Sequence, residues 1–158
     1  MGTEATAEAI LAQLTGSFSG LNRLWLQPGP LSDEQPITLT CNTAHTPHFR
    51  HLRYQSNTQG KSMVGELLLG YDPWQACLEA AWVDSFHMSK AMMHLVGQAH
   101  GPELWLAGDY YAGPEHPRWG WHVTLNPSPQ RLLIEMFNVP PDEAPQLAVQ
   151  LDLTAAKD

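Results

Sequence analysis

Positive charge is scarce in this chain. Its 158 residues carry 8 Lys and Arg against 16 Asp and Glu, a net charge of −8, and charged residues of both signs make up only 15%. Binding to nucleic acid or to an anionic membrane surface rests on basic patches. Here the basic side chains are scattered, with only Arg50 and Arg53 close together, so neither partner is expected. Cysteine is limited to Cys41 and Cys77, expected as buried, reduced thiols rather than a bridge. No run approaches the ~18 apolar residues of a membrane-crossing helix. Met1 to Leu14 lack the basic start and continuous apolar stretch of an export signal, which makes the cytoplasm the expected location. There is also no G-x-S-x-G elbow, no cysteine in a reactive local context and no glycine-rich loop opening a helix. Hydrolase, kinase and dinucleotide-binding readings therefore find no support.

What is present is enough apolar material, 43% of the residues, for one domain with a sizeable core. Between Thr3 and Leu14, apolar residues at Ala7, Ile10, Leu11 and Leu14 follow helical spacing, with Thr3 or Thr6 as a cap. After Gly16 the chain breaks into runs of about 6–11 residues between turn formers, the pattern of a sandwich or barrel. Strands are expected at 17–26, 37–44, 48–56, 61–71, 75–84, 90–97, 103–111, 118–125, 131–138 and 146–154. Turn chemistry divides them: Pro28-Gly29-Pro30, Asn57 to Gly60, Tyr71-Asp72-Pro73, Gly101-Pro102, Gly113-Pro114, Asn126-Pro127 and Pro140-Pro141. Connections this short join antiparallel neighbours, not parallel crossovers. A sheet of about ten strands would leave long edges unless it closed, so the expected fold is all-β, an antiparallel closed barrel. The domain boundaries that follow are an N-terminal helix over 1–15 and a single β-barrel domain over 16–156.

Alternation assigns faces only in part. Met63, Gly65, Leu67, Leu69 and Tyr71 share one face of their strand, with Val64, Glu66, Leu68 and Gly70 on the other. In the next strand Ala76, Leu78, Ala80, Trp82 and Asp84 oppose Cys77, Glu79, Ala81, Val83 and Ser85. Both faces are partly apolar. That fits a wide barrel with an amphipathic cavity, or an exterior covered by the helix or a partner.

Leu14-Thr15-Gly16-Ser17-Phe18-Ser19-Gly20, followed by Trp25 and Pro28-Gly29, resembles the opening "L-x-G-x-W-x-G … G" strand of a bacterial family known only as domain of unknown function number 1579. Gly65 to Asp72 and Trp82-Val83-Asp84-Ser85 resemble that family's "G-x-x-x-x-G-Y-D … W-x-D-S" block. The resemblance spans roughly residues 14 to 110, with Phe18 where a Trp is usual. It implies a lipocalin-like, or calycin-like, barrel of about ten strands and supplies no reaction. A neighbouring family with a similar barrel, the nitrobindins, holds ferric haem through a His near the C-terminal end. Here Gly20 is followed by Leu21-Asn22-Arg23 and no His lies beyond His122, so haem is not expected.

Among candidate site residues, Trp82 and Asp84 lie two apart on a strand and share a face. An indole beside a carboxylate in an apolar interior would disfavour the ionised form and could make a general acid. The plainer reading has Asp84 ending the strand and accepting turn amides, with Trp82 in the core; Tyr71-Asp72 reads likewise as a turn. Arg53, Tyr54, Glu66, Glu79, His94 and His122 are the candidate polar handles of a pocket. Arg53 and Tyr54 are adjacent, so only one can point inward. Met93, with Met88 and Met92, could line an apolar pocket. His45, His48 and His51 are spaced by three, which suits a helix face and not a strand, and the pairs Asp84/His87 and Glu115/His116 each fall short of a zinc site. No metal, no cofactor and no catalytic residue is assigned. The function expected is non-covalent binding of a small, mainly apolar ligand in the barrel interior. The alternatives are acid–base enzymology in the same cavity, with Asp84, Glu66 or His122 as acid or base, and a module whose apolar outer face forms a homodimer.

Overall fold

The computed structural model describes residues 6–157. A short helix, α1 (Ala7–Ala12), precedes ten strands: β1 (Gly16–Leu24), β2 (Asp33–Thr43), β3 (Phe49–Thr58), β4 (Lys61–Asp72), β5 (Cys77–Asp84), β6 (Met88–His100), β7 (Glu103–Tyr110), β8 (Trp119–Ser128), β9 (Arg131–Val139) and β10 (Gln146–Ala155). Each strand pairs antiparallel with its neighbours in sequence, and β10 returns to β1, closing the barrel. Closure leaves no edge strand for aggregation. Every expected strand is present. Two run through prolines: β2 starts at Asp33, ahead of the expected 37, and carries Pro36 opposite Leu21, and β8 carries Pro127, expected in a turn, opposite Leu132. The Pro36 carbonyl is taken by the Ser56 hydroxyl at 2.7 Å.

The up-and-down order puts five of the nine strand connections at one end and four at the other. α1 lies at the end where β1 begins. Thr6 caps it, its hydroxyl oxygen accepting from the Ala9 N–H at 3.1 Å; Thr3, the other expected cap, lies outside the described residues. Six residues cannot hold a helix alone. Packing does it: Ile10 and Leu11, with Leu14 just beyond, are buried, and α1 packs against β4 and β7. The Cys41 thiol donates to the Leu14 carbonyl at 2.9 Å, and burial pushes its pKa up to about 12.

Strand alternation fills the interior. Ile37, Leu39, Leu52, Leu67, Leu69 and Leu78 meet Leu95, Leu104, Leu106, Val123, Leu125, Ile134, Leu151 and Leu153 in one core cluster. The wide amphipathic cavity suggested by the mixed faces is therefore not what those faces encode. The barrel centre is solid, and the outward apolar residues Val64, Leu68, Met92 and Val96 stand exposed. Among the described residues no helix is long and apolar enough to cross a membrane.

The two glycines of the G-E-L-L-L-G-Y-D segment have a shared physical reason. A Cβ on Gly65 would fall inside the Tyr54 ring, and one on Gly70 would meet the Phe49 ring. Each glycine seats an aromatic side chain from the β3 residue directly opposite, Tyr54 on the inner face and Phe49 on the outer.

Candidate functional site

The end away from α1 is the mouth. Its chemistry begins at Asp84, the last residue of β5. The carboxylate Oδ1 accepts the backbone N–H groups of Phe86 at 2.7 Å and His87 at 2.9 Å, which turns the chain back toward β6. Ser85 fastens the same corner to β4, its hydroxyl accepting the Val64 N–H at 3.0 Å. The turn reading of Asp84 is thus correct, but the residue does more. In register, Tyr54 faces Gly65 and Gly65 faces Asp84 across three strands. The missing side chain at Gly65 leaves Tyr54 free to lie over β4, and its hydroxyl donates to Asp84 Oδ2 at 2.5 Å. The Trp82 indole N–H in turn donates to the Tyr54 oxygen at 3.0 Å.

These contacts reverse the general-acid expectation for Asp84. Burial does oppose its ionisation, with only 4% of the residue exposed. The His87 imidazole, the Tyr54 hydroxyl and the His87 backbone N–H outweigh burial and hold its pKa below the ordinary carboxylate value. Tyr54 moves the other way: burial, then the Asp84 charge, raise its pKa well above that of a free tyrosine, so it stays a neutral donor.

Past the turn, the His87 ring packs against Trp82 and Trp121, with centroids 6.0 Å and 5.4 Å away, and takes Phe86 edge-on at 4.7 Å. Its Nδ1 is 3.6 Å from Asp84 Oδ1, too far for a hydrogen bond, and is buried without a partner. Trp121 stacks on Trp82 at 5.5 Å with planes 15° apart, and Tyr110 meets it edge-on at 6.2 Å. The Trp121 indole N–H is also buried without a partner, unlike that of Trp82. Tyr110 donates to the Asn138 side-chain oxygen at 2.6 Å.

Above these groups lies a cup of about 190 Å³, walled by Trp25, Phe86, His87, Tyr110, Trp121 and Asn138, with loop and β10 residues at its lip. Below His87 a void of about 10 Å³ reaches Asn22, Tyr54 and Asp84. That is about one water's worth of space.

The sequence-derived candidates divide cleanly. Tyr54, Trp82 and Asp84 meet beneath the cup, and Met93 is buried beside them, opposite Trp82. Arg53, Glu66, His94 and His122 point from the outer wall. Glu66 lies 3.7 Å from Arg53 and 3.6 Å from His51, all partly exposed. His122 packs edge-on against Trp105 at 5.0 Å, where burial lowers its pKa. Glu66 and His122 are thus not interior acids or bases. The cup-facing residues Trp121, Tyr110 and Asn138 were not singled out in the sequence. Inward alternation along β8 (Trp121, Val123, Leu125) was the available signal.

A search of curated proteins finds no match. Among solved structures, the crystal structure of Rv2717c from M. tuberculosis is similar, with a TM-score of 0.66 and 15% sequence identity over 98% of this chain and 100% of that one. At that identity the likeness is one of fold. The sequence pattern of the DUF1579 family, described as proteins of unknown function, matches residues 3–154. With nearly its whole length matched, the chain belongs to the DUF1579 family.

Proposed function

We propose that the protein is a lipocalin-like carrier that holds a small, mainly apolar ligand non-covalently in the mouth cup, not in the barrel centre. One observation carries this reading: Trp121 lines the cup, and its indole N–H is buried with no acceptor. A buried unsatisfied donor costs about 1–3 kcal/mol, and a ligand oxygen would remove that cost. The aromatic walls suit a flat ring. At about 190 Å³ the cup is smaller than the roughly 300–1,000 Å³ of ordinary ligand pockets, so the ligand is small. Tyr54, Trp82 and Asp84 support His87 and Trp121 from below. The same reading keeps the protein in the cytoplasm, where the buried thiols Cys41 and Cys77 stay reduced.

The test is titration with indole and 4-nitroanisole, followed by ¹H–¹⁵N NMR of the tryptophan side chains. The Trp121 Nε1–H resonance should shift, and Ala148→Phe, which fills the cup, should abolish the shift. Perturbation confined to the outer wall, or none with either probe, would overturn the reading.

A second reading concerns the outer wall of β3–β6. Phe49, Leu68, Met92 and Val96 are exposed there, around a shallow depression that also includes Glu79 and His94. Charges of both signs, Arg53 and Lys90 with Glu66 and Glu79, lie on or beside these strands. A two-fold contact with a second copy would pair such a surface with itself. Sedimentation should then find a dimer that Leu68→Glu converts to monomer; a monomeric parent protein would remove this reading.

A further inference from the structure

Two of the residues that line the cup, Trp121 and His87, each carry a buried ring nitrogen without a partner. Trp121 offers a buried N–H donor. His87 turns Nδ1 toward the Asp84 carboxylate at 3.6 Å. Its other nitrogen, Nε2, lies on the far side of the ring from Asp84. None of the residues lining the cup is Lys or Arg. A ligand arriving as an anion would meet no fixed cation and would feel the buried Asp84 charge. A ligand arriving neutral, with an acidic hydroxyl on a flat ring, avoids that repulsion and still supplies an oxygen for Trp121.

Resting on the cup as the ligand site, we propose that its ligand is a phenol-type molecule, and that His87 takes the hydroxyl proton as the ligand settles. The ligand O–H bond breaks and an Nε2–H bond forms. The bonding pair stays on the ligand oxygen, and no other atom or electron moves. The imidazolium so formed lies beside the Asp84 carboxylate, and the oxyanion accepts the Trp121 N–H. The charge of protein plus ligand is unchanged, and no ion has to be brought in from water. Asp84 is a positioning residue in this scheme. Its Oδ1 is held by two turn amides and its Oδ2 by Tyr54, so the carboxylate cannot swing away from the imidazole. This arrangement is a neutral-in, ion-pair-bound site.

The test uses 4-nitrophenol, whose phenol and phenolate forms absorb at different wavelengths, in buffer acidic enough that the free probe is mostly protonated. Full-length protein should raise the phenolate band as it is added, alongside the Trp121 NMR shift. His87→Gln should still bind the probe, with loss of the phenolate band. Trp121→Phe, which keeps the stack, should weaken binding of 4-nitrophenol more than that of 4-nitroanisole, whose ether oxygen is the weaker acceptor. Binding of 4-nitrophenol with an unchanged phenol spectrum would overturn the proton transfer while leaving the cup as the site. Failure of both probes to move the Trp121 resonance would overturn the site itself, and this inference with it. A phenolate band that survives His87→Gln would also overturn it.

Discussion

The two ends of the barrel are closed by opposite means. At the helix end, Ile10, Leu11 and Leu14 lie over the strands as an apolar stopper, and Leu14 has no exposed surface at all. At the mouth, closure is aromatic and polar: Trp82 stacked on Trp121, His87 beside both, and Asp84 and Tyr54 beneath. An unpaired buried group exists at each end, but their settings differ. Arg50 Nε at the helix end has no partner, yet the same guanidinium donates through Nη1 to the Pro47 and Phe49 carbonyls. The Trp121 N–H has no such second anchor, and its residue lines an open cup. One end is organised for stability alone, and the other tolerates an unmet polar group beside open space. Even the turns repeat the contrast. Asp72 at the helix end accepts the N–H groups of Trp74 and Gln75, two and three residues on, as Asp84 does at the mouth with Phe86 and His87. Only Asp84 is also buried and bonded to a tyrosine.

Substitutions at both ends can break or sharpen this contrast. The largest effect is expected from Leu14→Ala, which opens a cavity under α1 and should lower the unfolding free energy by about 4 kcal/mol in denaturant titration. Asp84→Ala should follow at about 3 kcal/mol, since it strips the Tyr54 hydroxyl and two turn amides of their acceptor. Asp84→Asn isolates the charge. Because the folded pKa of Asp84 is depressed, its ionic contribution is fully present above the ordinary carboxylate range and is lost as pH falls through the lowered value. The stability gap between the parent protein and Asp84→Asn should therefore be constant near neutrality and shrink below about pH 4. A gap that widens on acidification would contradict the assignment. Asp72→Ala removes the same turn bonds without the buried network and should cost about 1 kcal/mol. The smallest effects distinguish the two stacked indoles. Trp82→Phe loses a partnered N–H and should cost about 1 kcal/mol more than Trp121→Phe, whose lost N–H had no partner. Equal losses would mean that Trp121 is satisfied in solution.

Much of the architecture was legible because Pro, Gly, Asn and Asp punctuate the chain at each reversal, and in an antiparallel meander strand order follows from the punctuation. Pro36 and Pro127 misled only about strand ends, since each lies within a few residues of a strand terminus. The shared face of Trp82 and Asp84 was legible for the same periodic reason, as was the rule that only one of Arg53 and Tyr54 points inward, though not which one. Two things were not. β5 and β8 are separated by β6 and β7, so the contact of Trp82 with Trp121 crosses the barrel, and no alternation rule reports on contacts of that kind. The ionisation of Asp84 depended on the turn amides and on Tyr54 reaching across Gly65. An apolar neighbourhood in sequence says nothing of those donors.

The stack of Trp82 on Trp121 has an optical consequence. Among the described residues these are the two indoles that face each other, stacked with centroids 5.5 Å apart and planes 15° from parallel. Transition dipoles held that close couple as an exciton pair. The mouth should therefore carry its own circular-dichroism couplet in the ultraviolet, absent from Trp82→Phe and Trp121→Phe alike, while the other four tryptophans contribute no such paired band. Anything that enters the cup and pries the rings apart would write itself into that couplet with no label attached.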